Sequence, residues 1–211
     1  MLEICAKCGN YNWDKTLKGG YITCPNCNHS WQYRSLPLFI LSGCSGVGKT
    51  TTALHLMQKT DEIVILDADV FVGIQNAVTP DDYKRRIDTI ESISKDIMQS
   101  GKAVMWTMAG NLDMLPNSYH SQFFDGIRCL VLTVNNDALR DRMINGRGIT
   151  DNGWIDGSVG YNQYLLSHDT IGDLKYEKLD ITGKSPEEVA TEVIHWINKF
   201  FQGANYGIPN I

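Results

Sequence analysis

The sequence predicts an α/β fold with a mainly parallel sheet and helices on both faces, preceded by a small unit built around four cysteines. Three observations carry this. From residue 38 onward, apolar and β-branched runs alternate with amphipathic, capped segments, the order expected of strands joined by helical crossovers. One of these runs, Leu38 to Ser42, leads directly into Gly43-x4-Gly48-Lys49-Thr50. Ahead of it, fifteen residues separate Cys5-x2-Cys8 from Cys24-x2-Cys27, a metal-ligand spacing rather than a disulfide framework.

Composition bounds the possibilities. A chain of 211 residues holds one α/β domain plus something small, and 43% hydrophobic residues supply its core. The net charge of −5 argues against non-specific binding to nucleic acid or to anionic membranes. No apolar run approaches the roughly 20 residues that span a bilayer. The start M-L-E-I-C shows no basic region followed by an apolar core, so no secretory signal is visible and a cytoplasmic location is expected.

Residues 1–34 read as a zinc ribbon. Gly9, and Asn28 in the equivalent place, suit the positive φ of a turn after each cysteine pair. Lys18-Gly19-Gly20-Tyr21 reads as a hairpin turn leading into a strand that ends at Thr23. So short a unit cannot bury a stable core, so Zn2+ held by Cys5, Cys8, Cys24 and Cys27 would supply its folding energy. Four thiolates leave no open position, which makes such a zinc structural. His29 is read as a surface histidine and not a substitute ligand. Tyr11, Trp13, Tyr21, Trp31 and Tyr33, interleaved with Lys7, Lys15, Lys18 and Arg34, suit stacking on single-stranded nucleic acid. The preferred reading is plainer: these rings fill the ribbon and dock it on the next domain.

Ser35-Leu36-Pro37 is the expected linker to a domain over 38–211. Leu38 to Ser42 is its first strand, and a helix over Thr51 to Lys59 follows the glycine loop. Glu62 to Leu66 is a second strand, ending in Asp67-Ala68-Asp69. Thr79-Pro80-Asp81-Asp82 starts a helix with a cap, a proline in the first turn and acids beside it. Ile87, Ile90, Ile93 with Ser94, and Ile97 form its apolar stripe before Gly101 ends it. Strands follow at Lys102 to Met108 and Ile127 to Val134, and a helix at Asp137 to Asn145. Residues 146–160 are rich in glycine and polar side chains and read as a mobile loop or lid. Asp180-Ile181 is a short fifth strand. Ser185-Pro186-Glu187-Glu188 combines a cap, a proline and a capping-box glutamate, and starts a helix through Phe200.

The glycine loop is a P-loop in full spacing. Its backbone N–H groups must all turn inward around phosphate, which needs residues without Cβ at Gly43, Gly46 and Gly48. Cys44, Ser45, Val47 and Thr51 complete the cradle. Lys49 brings a positive charge to the β/γ-phosphates, the Thr50 hydroxyl suits Mg2+, and the helix N-terminus faces the anion. Cys44 reads as a small filler and Cys129 as core.

The order of P-loop, strand ending in D-x-D, lid with arginines and capped C-terminal helix resembles the small P-loop kinases, among them shikimate, gluconate, nucleoside and nucleotide kinases. The resemblance covers residues 38 to 201, and L-R-D-R-M-I-N-G-R, ending at Arg147, looks like their strand-to-lid connection. It implies ATP and Mg2+ as ligands, Asp67 as the Mg2+ acid and Asp69 as the acid that orients or deprotonates an acceptor hydroxyl. It also implies contacts from Arg142 and Arg147 to ATP and the moving phosphoryl. The expected activity is ATP-dependent transfer to a small-molecule hydroxyl, with a nucleoside or nucleotide as the leading acceptor. Asp151, Trp154 and Asp156 are further candidates for lid or acceptor pocket, and Arg140 is held to be a solvated helix residue. The alternative is a zinc-ribbon nucleic-acid-binding protein, either an ATPase or a kinase of polynucleotide ends. An ATPase usually places glutamate after the strand acid, where this chain has Ala68, and Asn135-Asn136-Asp137 does not supply a guanine-binding N-K-x-D. A zinc-stabilised ATP sensor is the non-enzymatic reading.

Overall fold

The structure, a computed structural model, describes residues 2–72, 74 and 77–201. The N-terminal unit is a three-stranded antiparallel sheet of β1 (Thr16–Lys18), β2 (Tyr21–Thr23) and β3 (Ser30–Gln32). The hairpin between β1 and β2 is the expected one, and β3, set by alternation of Trp31 against its polar neighbours, adds to it. Gly9 (φ 71°) and Asn28 (φ 56°) both take the left-handed conformation that the cysteine turns require. Each turn closes in the same way, with Gly9 N–H donating to Cys5 O and Asn28 N–H to Cys24 O.

The larger sheet contains β4 (Leu38–Ser42), β5 (Ile63–Asp67), β6 (Ala103–Thr107), β7 (Ile127–Thr133), β8 (Thr170–Ile171) and β9 (Leu174–Asp180). Its order is β5-β6-β4-β7-β9-β8, parallel throughout except for β8, which runs antiparallel to β9 at the edge. β4 is central and every one of its residues is buried, which is why it reads as an unbroken apolar run. The fifth strand is longer than the expected Asp180-Ile181. In L-K-Y-E-K-L-D, Leu174 and Tyr176 face inward while Lys175 and Glu177 face water, a period-2 pattern close to the sheet edge.

Among the described residues, five α-helices flank the sheet: α1 (Lys49–Met57), α2 (Pro80–Met98), α3 (Asn136–Asp141), α4 (Asn152–Ser167) and α5 (Pro186–Asn198). The capping boxes at Thr79/Asp82 and Ser185/Glu188 both form. α1 begins at Lys49, inside the glycine loop, and packs on α5; α2 lies against β6 and α4 against β7. None of the described helices is long and apolar enough to cross a membrane.

Two expectations are corrected. Residues 146–160 are not a loop throughout, since α4 starts at Asn152. The Asp151 carboxylate accepts from Gly153 and Trp154 N–H, and Ile155, Val159 and Leu165 are buried. That burial and the cap outweigh the roughly 1 kcal/mol that each of Gly153, Gly157 and Gly160 costs a helix. The helix at Asp137 to Asn145 is likewise interrupted: α3 ends at Asp141 and a wider π turn covers Arg142–Gly146. Residues 202–211 of the expected domain lie outside the described residues.

α2 turns a different face inward than its isoleucines suggest. Glu91, Ser94 and Lys95 are fully or almost fully buried beside Ile87, Ile90 and Met98, whereas Ile93 is 38% exposed. Ser94 faces the sheet and accepts from Trp106 Nε1 at 2.8 Å, Glu91 lies under the turn at Ser118, and the ribbon covers Lys95. Lys95 Nζ donates to the Glu3 carboxylate, and the Gln99 amide brackets the Arg34 backbone, accepting from its N–H and donating to its carbonyl. Tyr33 meets Phe123 edge to face at 5.5 Å, Trp13 stacks on Tyr119, and Tyr119 OH donates to Lys15 O. Trp13 and Tyr33 thus dock the ribbon, and His29 stacks on Trp31 instead of joining the cysteines.

Glu91 accepts from Ser118 Oγ, and its other oxygen has no partner. Burial, reinforced by Asp88, pushes its carboxyl up from 4.5 to about 8. A carboxyl that holds its proton in the folded chain but not in the unfolded one stabilises the fold below pH 4.5. That contribution is lost as pH rises towards 8. Glu91→Gln is therefore expected to be more stable than the parent at pH 8, by up to a few kcal/mol, and to lose part of the pH dependence. Urea midpoints at pH 5 and pH 8 check this; equal pH slopes for parent and variant would contradict it.

Candidate functional site

The site lies where β4, β5 and β6 end, the position that parallel sheets reserve for ligands. Close packing explains the glycines of its loop. A Cβ on Gly43 (φ 140°) would stand 2.6 Å from Leu132 O, and one on Gly46 (φ 79°) 2.7 Å from Met143 Cγ. Met143 is fully buried in the π turn, so that turn presses directly on the loop. The widened turn places Arg142 and Arg147 over the cradle: Arg142 donates to Val47 O at 3.0 Å, and Arg147 to Ser45 Oγ at 3.4 Å.

Ser45 to Thr51, Asp67, Asp69, Arg142 and Arg147 line one cavity of about 910 Å³. The structure thus brings together most of the residues chosen from sequence. Lys49 Nζ donates back to the carbonyls of Gly43 (2.9 Å) and Cys44 (3.0 Å), and burial pushes its pKa down. Thr50 Oγ1 donates to Asp67 Oδ2 at 3.1 Å, while Asp67 Oδ1 accepts from Asp69 N–H at 3.0 Å and caps the short turn after β5. A hydroxyl and a carboxylate held together in this way form a hard oxygen pair of the kind Mg2+ takes. Gly43 and Cys44 lie behind the lining. Cys44 is fully buried, and burial pushes its thiol up to about 11, as befits a neutral filler.

Not every candidate joins the site. Arg140 pairs with Asp156 at 2.7 Å on the surface, and Asp151 is occupied as the cap of α4. Trp154 does line the cavity, as do Met108 and Ala109. Lys184 and Thr107 line it too and were missed from sequence. Lys184 follows Thr182-Gly183 after the last strand and binds Glu192 of α5; only the position of that strand's end identifies it.

In the ribbon, the sulfurs of Cys5, Cys8, Cys24 and Cys27 all lie within 4.8 Å of one another. Tetrahedral Zn–S bonds of about 2.3 Å place sulfurs ~3.8 Å apart. The Cys5–Cys27 and Cys8–Cys24 separations are 3.7 and 3.8 Å, so the four residues fit a structural zinc.

No protein-family model matches the sequence, and no curated protein matches it. Solved structures do match in three dimensions. A sugar kinase from Janibacter sp. superposes with a TM-score of 0.56 at 17% identity, over 78% of this chain and 95% of its own. A gluconokinase from Sinorhizobium meliloti gives 0.56 at 16%, over 81% and 99%. The tunicamycin resistance protein of Deinococcus radiodurans gives 0.55 at 13%, over 78% and 96%. At such identities the likeness establishes the fold alone, one that this chain shares with these three proteins.

Proposed function

We propose that the chain is an ATP-dependent phosphotransferase acting on a hydroxyl of a small molecule, with nucleosides and nucleotides as the acceptor class favoured by sequence. The observation that carries this reading is the gathering of Lys49, the Thr50–Asp67 pair and Asp69 in one cavity. The kinase names of two structural neighbours agree with it.

The roles follow from position. Lys49 would turn from the Gly43 and Cys44 carbonyls to the β/γ-phosphates, joined by backbone N–H groups of the loop. Thr50 and Asp67 would hold Mg2+, which would draw charge from the phosphate oxygens. Asp69 accepts the proton of the acceptor hydroxyl as its oxygen bonds to the γ-phosphorus and the bond to ADP breaks. Arg142 and Arg147 neutralise the charge spread over the moving phosphoryl. The test is ADP release with labelled ATP across nucleosides, nucleotides, sugars and small hydroxy acids. Acceptor-independent release would favour an ATPase instead.

The four cysteines are proposed to hold one structural zinc. Elemental analysis is expected to find one Zn2+ per chain, and Cys8→Ser to lower zinc retention and the stability of the ribbon. Purified protein devoid of zinc yet fully folded would refute this.

A further inference from the structure

The cavity has one polar group that the proposed chemistry leaves unused. Thr107 ends β6 and lines the cavity, yet it is only 1% exposed and its Oγ1 has no hydrogen-bond partner. Among the described residues it is the one lining residue with such an orphaned buried atom. The ends of the neighbouring strands differ. Thr133, which ends β7, spends its hydroxyl on Leu179 O at 3.4 Å. Ser42, which ends β4, also has an unpartnered buried hydroxyl but does not line the cavity. Leaving a buried hydroxyl without a partner is unfavourable, and one that persists beside a ligand site points to a partner gained in the loaded state.

The register of the sheet decides which neighbour that is. Asp67 and Thr107 are directly paired on β5 and β6, so their side chains leave the same face of strands about 4.8 Å apart. Trp106, one residue earlier, points the other way, to Ser94 of α2. On the β4 side Thr107 is paired with Leu41, whose side chain is apolar. The polar partner across the register is therefore Asp67. An ionised carboxylate accepts at about four positions. Thr50 takes one on Oδ2 and the Asp69 N–H takes one on Oδ1, which leaves room for a cation and one further donor.

Resting on the kinase reading, we infer that Thr107 is a positioning residue for Mg2+: its hydroxyl donates to the Asp67 carboxylate when the cation binds and so fixes the oxygen offered to the metal. The two groups are not bonded in this structure, so the contact belongs to the loaded state alone. An interaction made only in that state adds to cation affinity without first having to be broken in the free chain. Serine in this place keeps the donor, whereas valine keeps the shape and loses it.

The experiment uses the full chain and a fluorescent ADP analogue, with Mg2+ titrated at fixed nucleotide. In Thr107→Val the Mg2+ that gives half the signal change is expected to rise about 10- to 100-fold, the usual loss when the group behind a metal ligand is removed. Affinity for the analogue in EDTA should stay that of the parent, and Thr107→Ser should return most of the Mg2+ response. Urea unfolding without nucleotide or Mg2+ supplies the second readout. There Thr107→Val should unfold at or above the parent midpoint, because a methyl replaces a hydroxyl that had no partner. An unchanged Mg2+ midpoint in Thr107→Val, an equal shift in Thr107→Ser, or a lower urea midpoint in Thr107→Val (the mark of a structural hydroxyl) overturns the inference while the kinase reading stands. A parent chain that does not bind the analogue, or binds it without regard to Mg2+, overturns the kinase reading and the inference with it.

Discussion

Asp69→Asn is expected to lower phosphoryl transfer by about 10²–10⁴ while Mg-ATP affinity stays near that of the parent. The carboxylate lies in the cavity two residues beyond the end of β5, and its N–H, not its side chain, is what the Asp67 cap uses. An amide in its place keeps the turn and the size of the group but cannot take a proton. Asp67→Asn should behave differently. Its Oδ2 accepts from Thr50, so the amide weakens a hard-cation pair, and the Mg2+ needed for half-maximal rate should rise. Acceptor-dependent ADP release with Mg2+ titrated for each variant separates the two roles. Transfer at the parent rate by Asp69→Asn removes the acceptor-base assignment.

The second large effect is at Lys49. Lys49→Ala is expected to cost about 10²–10³ in kcat/KM, the usual loss when one preorganised charge contact leaves a sheltered site. The amine is held away from bulk water, which depresses its pKa and makes the charged form more strongly drawn to an arriving phosphate. Its hydrogen bonds are to two loop carbonyls, so the variant should keep its circular dichroism spectrum. Near-normal rate and ATP affinity in Lys49→Ala would remove the phosphate-cradle assignment.

Much of this molecule is legible in its residues where local chemistry dictates local shape. Gly43, Gly48, Lys49 and Thr50 announce the loop, the cysteine pairs announce the ribbon, and Thr79 and Ser185 mark helix starts because a cap acts on its own turn. What stays hidden depends on partners distant in sequence. α4 carries three glycines and little apolar periodicity; it exists because Ile155, Val159 and Leu165 find the sheet. Glu91 and Lys95 look like solvated helix residues until the turn at Ser118 covers the first and Glu3 of the ribbon the second. Lys184 and Thr107 are ordinary residues whose place in the cavity depends on where β9 and β6 end. Trp154 reaches the cavity on a helix that Tyr161 ties to Ala109, a contact 52 residues apart in sequence.

The docking of the ribbon also bears on how the chain is made. Its cysteine cluster closes between residues 22 apart in sequence, whereas its anchors on the larger domain are 92 residues away for Glu3–Lys95 and 104 for Lys15–Tyr119. At a synthesis rate of about 5–20 residues per second, a ribbon complete at residue 34 waits about 3–17 s for Lys95 and Tyr119 to follow. Throughout that interval Trp13 and Tyr33 have no rings to pack on, and the cysteines are open to solvent and to any zinc donor. Once α2 and the turn at Tyr119 arrive, the ribbon becomes part of a larger cooperative unit, with Cys8 still exposed at its surface. If the four cysteines take up zinc as proposed, zinc offered during translation is expected to raise the yield of properly assembled chains.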